Sequence, residues 1–434
     1  MDGGVSDLEF LLAAARQELE TLREDPRLAK PRGKRGEALR DHVLDLLGAV
    51  EHRMTGVPSA NAPEPVRRAF ARSLRQGLLM LRGGHAALPW LAATRAPNLN
   101  LGSLYMTEEY ARSLVAPDVD LVVVPDPEYM YATTSWPFSA VITMTPGFTP
   151  STTRRPIVLN YPLSDSDRLL LHPIFAHELG HASADEHQLT DTVQTALDAD
   201  SSFTDAFQQA VDDIAVTYPS LAKTQVAGLL RNWLHSWIEE LLCDHLALEA
   251  SGPAFLWAFA MFVMPLSYGE PSTDHPPNTL RVRLALDHLD RRGWRPYMEA
   301  VAPGVTGWLD EIATDAGSGA MQPQHTFLRD QLLTHAVLFQ DAAIARIGAD
   351  ALDPAACHTA AHEAAELLSR LILPVGLDQP LTSHSILLGG WQHAFSEHGD
   401  NPSGMVTALA DQRLQDLVGK AIEMSTVTLA WDPS

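Results

Sequence analysis

Residues 172–187 read HPIFAHELGHASADEH, a segment that combines apolar residues at helical spacing with four histidines. His177, Glu178 and His181 form an HExxH motif within it. Side chains four residues apart lie on one face of a helix, so both imidazoles can reach a single cation. Glu178 stands about 100° further round the helix, where its carboxylate can reach a water on that cation. The motif therefore predicts a helix with two metal ligands and a general base.

A tetrahedral catalytic zinc site takes a third protein ligand and keeps its fourth position for water. One candidate is His187, which follows His181 by six residues, the spacing used by metzincins. The metzincin pattern has a glycine at a turn where this chain has Ala184. Alanine tolerates the positive φ of such a turn poorly, which disfavours His187 without excluding it.

The other candidates lie in residues 226–250, VAGLLRNWLHSWIEELLCDHLALEA, which have a helical apolar stripe. Glu240 and Asp244 stand four apart on one side of this helix. Two carboxylates on a buried helix are costly unless a cation faces them. This favours Glu240 as the third ligand, with Asp244 accepting a hydrogen bond from a ligating histidine. Glu239 as the ligand, or a solvated acidic pair, stays open as an alternative.

At these residues the chain resembles a known group of enzymes. HELGH at 177–181 with Glu240 and Asp244 downstream looks like the gluzincin metallopeptidases, whose pattern is HExxH followed by ExxxD. Residues 275–281, HPPNTLR, are similar to the HPxxxxR element of the CAAX-prenyl-protease and HtpX-type peptidases. The three elements occur in the order found in that group, and the resemblance covers about residues 169–286.

The resemblance implies a role for each matching residue. These roles are zinc ligation by His177, His181 and Glu240, general-base catalysis by Glu178, orientation of a ligand by Asp244, and oxyanion stabilisation by His275 and Arg281. It also implies a zincin-type core in which a short sheet lies against the HExxH helix. The expected reaction is hydrolysis of a peptide bond through a water activated by Zn²⁺.

Composition limits the other functions. The chain has 434 residues with 54 acidic and 31 basic side chains, a net charge of −23, which argues against a nucleic-acid partner. Cys243 and Cys357 are too few for a disulfide framework, and together with the lack of an evident export signal they favour the cytoplasm. Residues 254–266 are apolar but too short to span a bilayer, so a buried helix is expected. A stable membrane span is therefore not expected, although members of the resembled group are commonly membrane proteins.

The organisation along the chain is mainly helical. Strands are predicted at 119–125, 139–146 and 156–161, because short β-branched runs there are bounded by turn residues. We expect an α+β fold with helical regions at 1–97 and 305–434 around a catalytic core at 98–304. An edge strand at 140–145 could pair with an extended peptide.

The expected function is a zinc metallopeptidase acting on a protein or peptide substrate. A zincin-fold binding or regulatory protein without turnover is one alternative, and a zinc hydrolase of a non-peptide amide is another. The oligomeric state stays open.

Overall fold

A computed structural model describes residues 3–29, 33–59, 61–93, 101–117, 119–126, 131–134, 145, 147–151, 154–263, 271–314, 322–348, 352–374 and 381–431. These residues are mainly helical, and their strands form one small sheet. The expectation of a mainly helical α+β chain is confirmed at this level. A zincin-type core stays a prediction.

The chain divides into two compact units. One contains Met1–Asn98 and Pro117–Leu163, and the other contains Leu99–Ala116 and Ser164–Ser434. In these units the strands are grouped with the N-terminal helices, and the C-terminal helices with the HELGH helix. The three regions expected from the sequence, 1–97, 98–304 and 305–434, stay a prediction. Breaks in composition mark loops, whereas the packing partners on either side of a loop depend on tertiary contacts.

The first unit contains a sheet of three strands. The strands are β1 (Val119–Asp126), β2 (Ala132–Thr134) and β3 (Arg155–Pro162), in the order β1-β3-β2. β1 runs parallel to β3 and β2 antiparallel to it. β3 is buried along most of its length, as its continuous apolar run implies. The strands expected at 119–125 and 156–161 are confirmed, whereas 139–144 and 146, including most of the proposed edge strand, lie outside the described residues.

The helices of this unit form its remaining core. They are α1 (Gly3–Arg23), α2 (Pro26–Ala29), α3 (Gly33–Met54) and α4 (Glu64–Ala93). Leu22, Val43 and Leu81 from three of these helices share one buried cluster with Val122 and Val158 of the sheet. The apolar periodicity of the helices therefore serves to cover the sheet.

The described residues of the second unit form helices joined by turns and loops, with no strand among them. A short 3₁₀ turn, Leu169–Leu171, precedes the HELGH helix. The helices are α5 (Leu101–Leu114), α6 (Ile174–Glu186), α7 (Leu189–Ala199), α8 (Ser201–Thr217), α9 (Lys223–Ser251), α10 (Pro253–Val263), α11 (Asn278–Arg291), α12 (Arg295–Val301), α13 (Pro303–Thr314), α14 (Pro323–Thr334), α15 (Ala336–Ile347), α16 (Pro354–Ser369), α17 (Ser383–His398), α18 (Pro402–Ala410) and α19 (Gln412–Trp431).

Helix α9 is the central element of this unit. It packs against α6, α7, α11 and α15, and every residue from Glu240 to Ser251 is buried. The expected apolar stripe is present, with Trp237, Leu241 and Leu248 buried. The helix ends where Gly252 adopts φ of 58°, a conformation that favours glycine. A helix buried on most sides places its few charged residues among neighbouring helices.

Helix α10 follows directly and forms part of the same core. All of its residues except Phe262 are buried, which confirms a buried helix over the described part of 254–266. Of the helices that the structure describes, none combines the length and the apolar character needed to cross a bilayer.

Candidate metal centre

The HELGH segment forms part of helix α6, as its spacing predicts. Pro173 occupies the position before the first helical residue, where its missing N–H costs nothing. Gly180 faces helix α9 so closely that a Cβ built on it would lie 3.0 Å from the Cα of Cys243. The glycine of the motif therefore lets the two helices that carry the site approach each other.

Three side chains from these helices converge. His177 and His181 of α6 and Glu240 of α9 each offer one ligand atom, and the three atoms lie within 4.8 Å of one another. The Nε2 atom of His177 is 3.5 Å from Oε2 of Glu240, and Nε2 of His181 is 3.6 Å from Oε1. The side chains of His177 and Glu240 are less than a tenth exposed, and that of His181 is 26% exposed. The cluster is thus buried on one side and accessible on the other.

The outer nitrogens of both imidazoles face carboxylates. Nδ1 of His177 lies 2.9 Å from Oδ1 of Asp244, although the ring N–H is not well aligned with that oxygen. Nδ1 of His181 lies 2.9 Å from Oε1 of Glu239. Carboxylates in these positions hold the ring so that Nε2 is presented to the shared centre. Asp244 therefore lies beside the outer nitrogen of a candidate ligand histidine, the position expected for it from the sequence.

Glu239 has a position that sequence reasoning missed. The sequence suggests it only as an alternative ligand, whereas in the structure it contacts the outer nitrogen of His181. The hydrogen bond to His181 lowers the pKa of Glu239 against the opposing effect of partial burial. The available signal was its position beside Glu240, about 100° round the helix.

The negative groups around His181 favour a cation there. Burial alone would lower its pKa, but the carboxylates of Glu239 and Glu240, together with a hydrogen bond to the sulfur of Cys243, raise the pKa of His181 well above its ordinary value. The same negative charges stabilise either a proton or a metal ion on this imidazole.

Arg281 lies behind the cluster. Its Nε donates to Oδ2 of Asp244 at 2.7 Å and its Nη2 to Oδ1 at 2.7 Å, while Nη2 also lies 3.3 Å from Oε2 of Glu240. Its guanidinium carbon is 4.5 Å from the centre of the Phe259 ring. Burial alone would raise the pKa of Asp244, but the charge and hydrogen bonds of Arg281 outweigh it and hold the pKa well below its usual value. Arg281 therefore keeps the buried carboxylate of Asp244 ionised and also places its positive charge beside Glu240.

His275 reaches the site from the segment before α11. Its Nε2 is 3.5 Å from Oε1 of Glu240, and its side chain is 59% exposed. The turn that carries it is fixed because the Ser272 hydroxyl accepts a hydrogen bond from the backbone N–H of His275 at 2.8 Å. The backbone carbonyl of Ser272 in turn accepts one from Nε1 of Trp237 at 3.1 Å. Helix α9 thus anchors this segment as well as supplying Glu240.

The two remaining motif residues differ in placement. Glu178 is buried on α6 directly after His177. His187 is exposed, follows the last residue of α6 and is not part of the three-residue cluster. Helix α6 runs past Ala184 to Glu186, and the chain turns with positive φ only at Gln188. The turn that would direct a metzincin ligand inward is therefore not formed at Ala184.

The structure thus brings His177, His181, Glu240, Asp244, His275 and Arg281 together within one compact unit. Comparisons of the chain with protein-family models, with curated proteins and with solved structures found no match.

Proposed function

We propose that this chain is a zinc-dependent peptidase whose metal ligands are His177, His181 and Glu240. The observation that carries the proposal is that three ligand atoms lie within 4.8 Å of one another. Two come from histidines one turn apart on α6, and the third comes from a carboxylate on α9, distant in the sequence. The outer nitrogens of both imidazoles already face carboxylates, which is the arrangement that surrounds ligating histidines in metalloproteins.

The residues fit a zinc ion by distance and by donor type. Two ligands on a tetrahedral zinc ion lie about 3.4 Å apart, since each bond is about 2.0–2.1 Å long. The separations from Glu240 to His177 and His181 are 3.5 and 3.6 Å. Oε2 of Glu240 is buried, and although Nη2 of Arg281 lies 3.3 Å from it, it accepts no hydrogen bond from a described residue and retains a lone pair for a metal ion. Two imidazoles and one carboxylate suit zinc better than magnesium or calcium.

The chemistry divides between the ion and the protein. A bound zinc ion polarises a carbonyl oxygen and lowers the pKa of water to about 7. Glu178 accepts the proton of the attacking water and later delivers it to the leaving amine, so no covalent intermediate is required. The exposed imidazole of His275 can donate a hydrogen bond to the carbonyl oxygen as negative charge develops.

Arg281 has a different role in this proposal from the one that the resemblance implies. Both of its hydrogen bonds go to Asp244 and its Nη2 also lies 3.3 Å from Oε2 of Glu240, so its guanidinium is already engaged by carboxylates. It therefore acts through Asp244 and Glu240 as a positioning residue, while oxyanion stabilisation falls to His275.

Two alternatives make different predictions. A binding or regulatory protein without turnover would not need Glu178, which is present and buried next to His177. A hydrolase of a non-peptide amide would use the same residues and differ only in substrate.

We propose a cytoplasmic location as well, because both cysteines are free and buried rather than joined in a disulfide.

The test compares the wild type with Glu178→Gln for zinc content and for hydrolysis of a mixed peptide library. The variant should keep its zinc and lose hydrolysis by at least a hundredfold, because it loses only the proton acceptor. Full hydrolysis by Glu178→Gln would overturn the base assignment. A wild type that binds zinc and cleaves no peptide, but cleaves small amides, would support the second alternative.

A further inference from the structure

An apolar pocket lies in the second unit, outside the residues described above. It has a volume of about 390 Å³ and is lined mainly by apolar side chains of α8, α9 and the turn between them. Tyr218 and Leu229 on its rim are 37% and 45% exposed, so the pocket is open to solvent. Its polar lining consists of Gln322 and Gln324, which hydrogen-bond to each other.

The pocket lies on the same helix face as the candidate metal ligand. Trp233, which lines the pocket, and Glu240 are seven residues apart on α9, which is two turns. Trp237 lies between them and is buried beneath Ser272, at the start of the segment that carries His275 to the site. The ring of His325 stacks on both tryptophans, with centroid distances of 5.4 and 5.9 Å. A continuous set of packed residues therefore joins the pocket to the candidate metal centre.

The distance along α9 between Trp233 and Glu240 matches a short length of extended peptide. Seven residues of α-helix rise about 10 Å at 1.5 Å per residue. An extended chain covers the same distance in about three residues at 3.3 Å each. A peptide whose carbonyl lies at the histidine pair can therefore place a nearby side chain at the pocket.

We propose that this pocket binds an apolar side chain of the peptide substrate, about three residues from the bond that is cleaved. The inference rests on the proposed function and adds a substrate class to it, namely peptides with an aromatic or branched aliphatic residue at that distance. Although the chain has a net charge of −23, none of the residues that line the pocket is charged. An apolar side chain can therefore enter the pocket without removing water from a charged group.

The experiment measures peptide binding without cleavage. The zinc-loaded Glu178→Gln protein is titrated with two peptides, one with Phe and the other with Ser at both the third residue before and the third residue after the expected cleavage bond. The Phe peptide should bind at least tenfold more tightly, because it buries an aromatic side chain. The same two peptides are then given to the wild type for hydrolysis.

Two further variants, made in the Glu178→Gln background, locate the effect. Leu229→Ser removes an exposed apolar group from the rim and should reduce the Phe preference to threefold or less. Val216→Ser is the matched control, because Val216 is 82% exposed and does not line the pocket, and it should leave the preference unchanged.

The outcomes separate the two proposals. Equal binding of the Phe and Ser peptides, or a Phe preference that Leu229→Ser leaves intact, would overturn the pocket assignment even if the wild type hydrolyses both peptides. A Phe preference that Leu229→Ser abolishes, in a wild type that cleaves neither peptide, would support the pocket as a peptide site and count against the proposed reaction.

Discussion

Gly180 of α6 and Cys243 of α9 are in close contact, since a Cβ built on the glycine would lie 3.0 Å from the cysteine Cα and 3.2 Å from its Cβ. This contact sets the separation of the helix with the two histidines from the helix with Glu240. A shift of a few tenths of an ångström between these helices changes both separations between Glu240 and the two histidines together.

Gly180→Ala should therefore weaken zinc binding as well as stability. Overpacking a close helix contact typically costs about 1–3 kcal/mol. We expect a loss in this range in urea unfolding and a zinc affinity at least tenfold lower. Gly228→Ala is the control, because no atom lies within 4 Å of a Cβ built there, and it should be neutral or slightly stabilising. Unchanged zinc affinity in Gly180→Ala would show that the contact does not position the ligands.

Arg281→Met should be strongly destabilising. It removes the cation that contacts the buried carboxylates of Asp244 and Glu240. Breaking a buried ion pair from one side typically costs about 3–5 kcal/mol. Arg283→Met, two residues further along the same helix, loses an ion pair whose side chains are 48% and 42% exposed, and it should cost less than about 1 kcal/mol. Equal losses in the two variants, measured by urea unfolding, would contradict the positioning role.

His275→Ala should lower kcat and leave the zinc content unchanged. The imidazole is 59% exposed and is not one of the three clustered ligands, so its loss removes a hydrogen-bond donor without removing a ligand. Losing such a donor from a buried site costs about 10²–10³ in kcat, and exposure places the expected loss nearer tenfold to a hundredfold. Steady-state kinetics at saturating zinc measure this loss. Normal kcat would exclude the oxyanion role, and loss of zinc would make His275 a ligand.

His172 should make the protein less stable as the pH falls. Burial lowers the pKa of His172 to about 4, although its contact with the Asp165 carbonyl opposes the shift. The unfolded chain binds a proton there below its ordinary value of about 6.5, while the folded chain stays neutral until about 4. Folding stability is therefore lost at about 1.4 kcal/mol per pH unit across this window as pH falls, or about 2 kcal/mol between pH 6.5 and 5.

The variant His172→Gln removes this titration. Urea unfolding at pH 7 and at pH 5 should show the variant gaining about 2 kcal/mol relative to the wild type at the lower pH. The pH 7 value serves as the reference for any packing cost. A difference between the two proteins that does not change with pH would show that His172 titrates normally in the folded chain.

Much of the candidate site follows from local spacing. The motif at His177 and His181 and the stripe containing Glu240 and Asp244 each specify one helix and one face, because 3.6-residue periodicity acts within a single element. That Asp244 reaches His177, and that Arg281 pairs with Asp244, depends on how two helices pack. The resemblance to a known peptidase group can suggest such pairs, but the spacing of residues along a helix does not predict them.

Other features had no local signal. The contact of Glu239 with His181 depends on how α9 is rotated about its axis relative to α6. Glu239 and Glu240 are neighbours on α9, so the sequence alone does not show which of them faces the outer nitrogen of His181. β2 has three residues, too few for a period-2 pattern. The grouping of strands with N-terminal helices arises from contacts between residues far apart in the chain. Each of these requires the tertiary structure.

The most direct test of the metal centre is the zinc affinity of Glu240→Ala measured beside that of His187→Ala. Glu240 lies 3.5 and 3.6 Å from the two imidazole nitrogens, whereas His187 is exposed and outside the cluster. We predict that Glu240→Ala binds zinc at least a hundredfold more weakly than the wild type and that His187→Ala binds it normally. Weakened binding in His187→Ala with normal binding in Glu240→Ala would contradict the proposed centre.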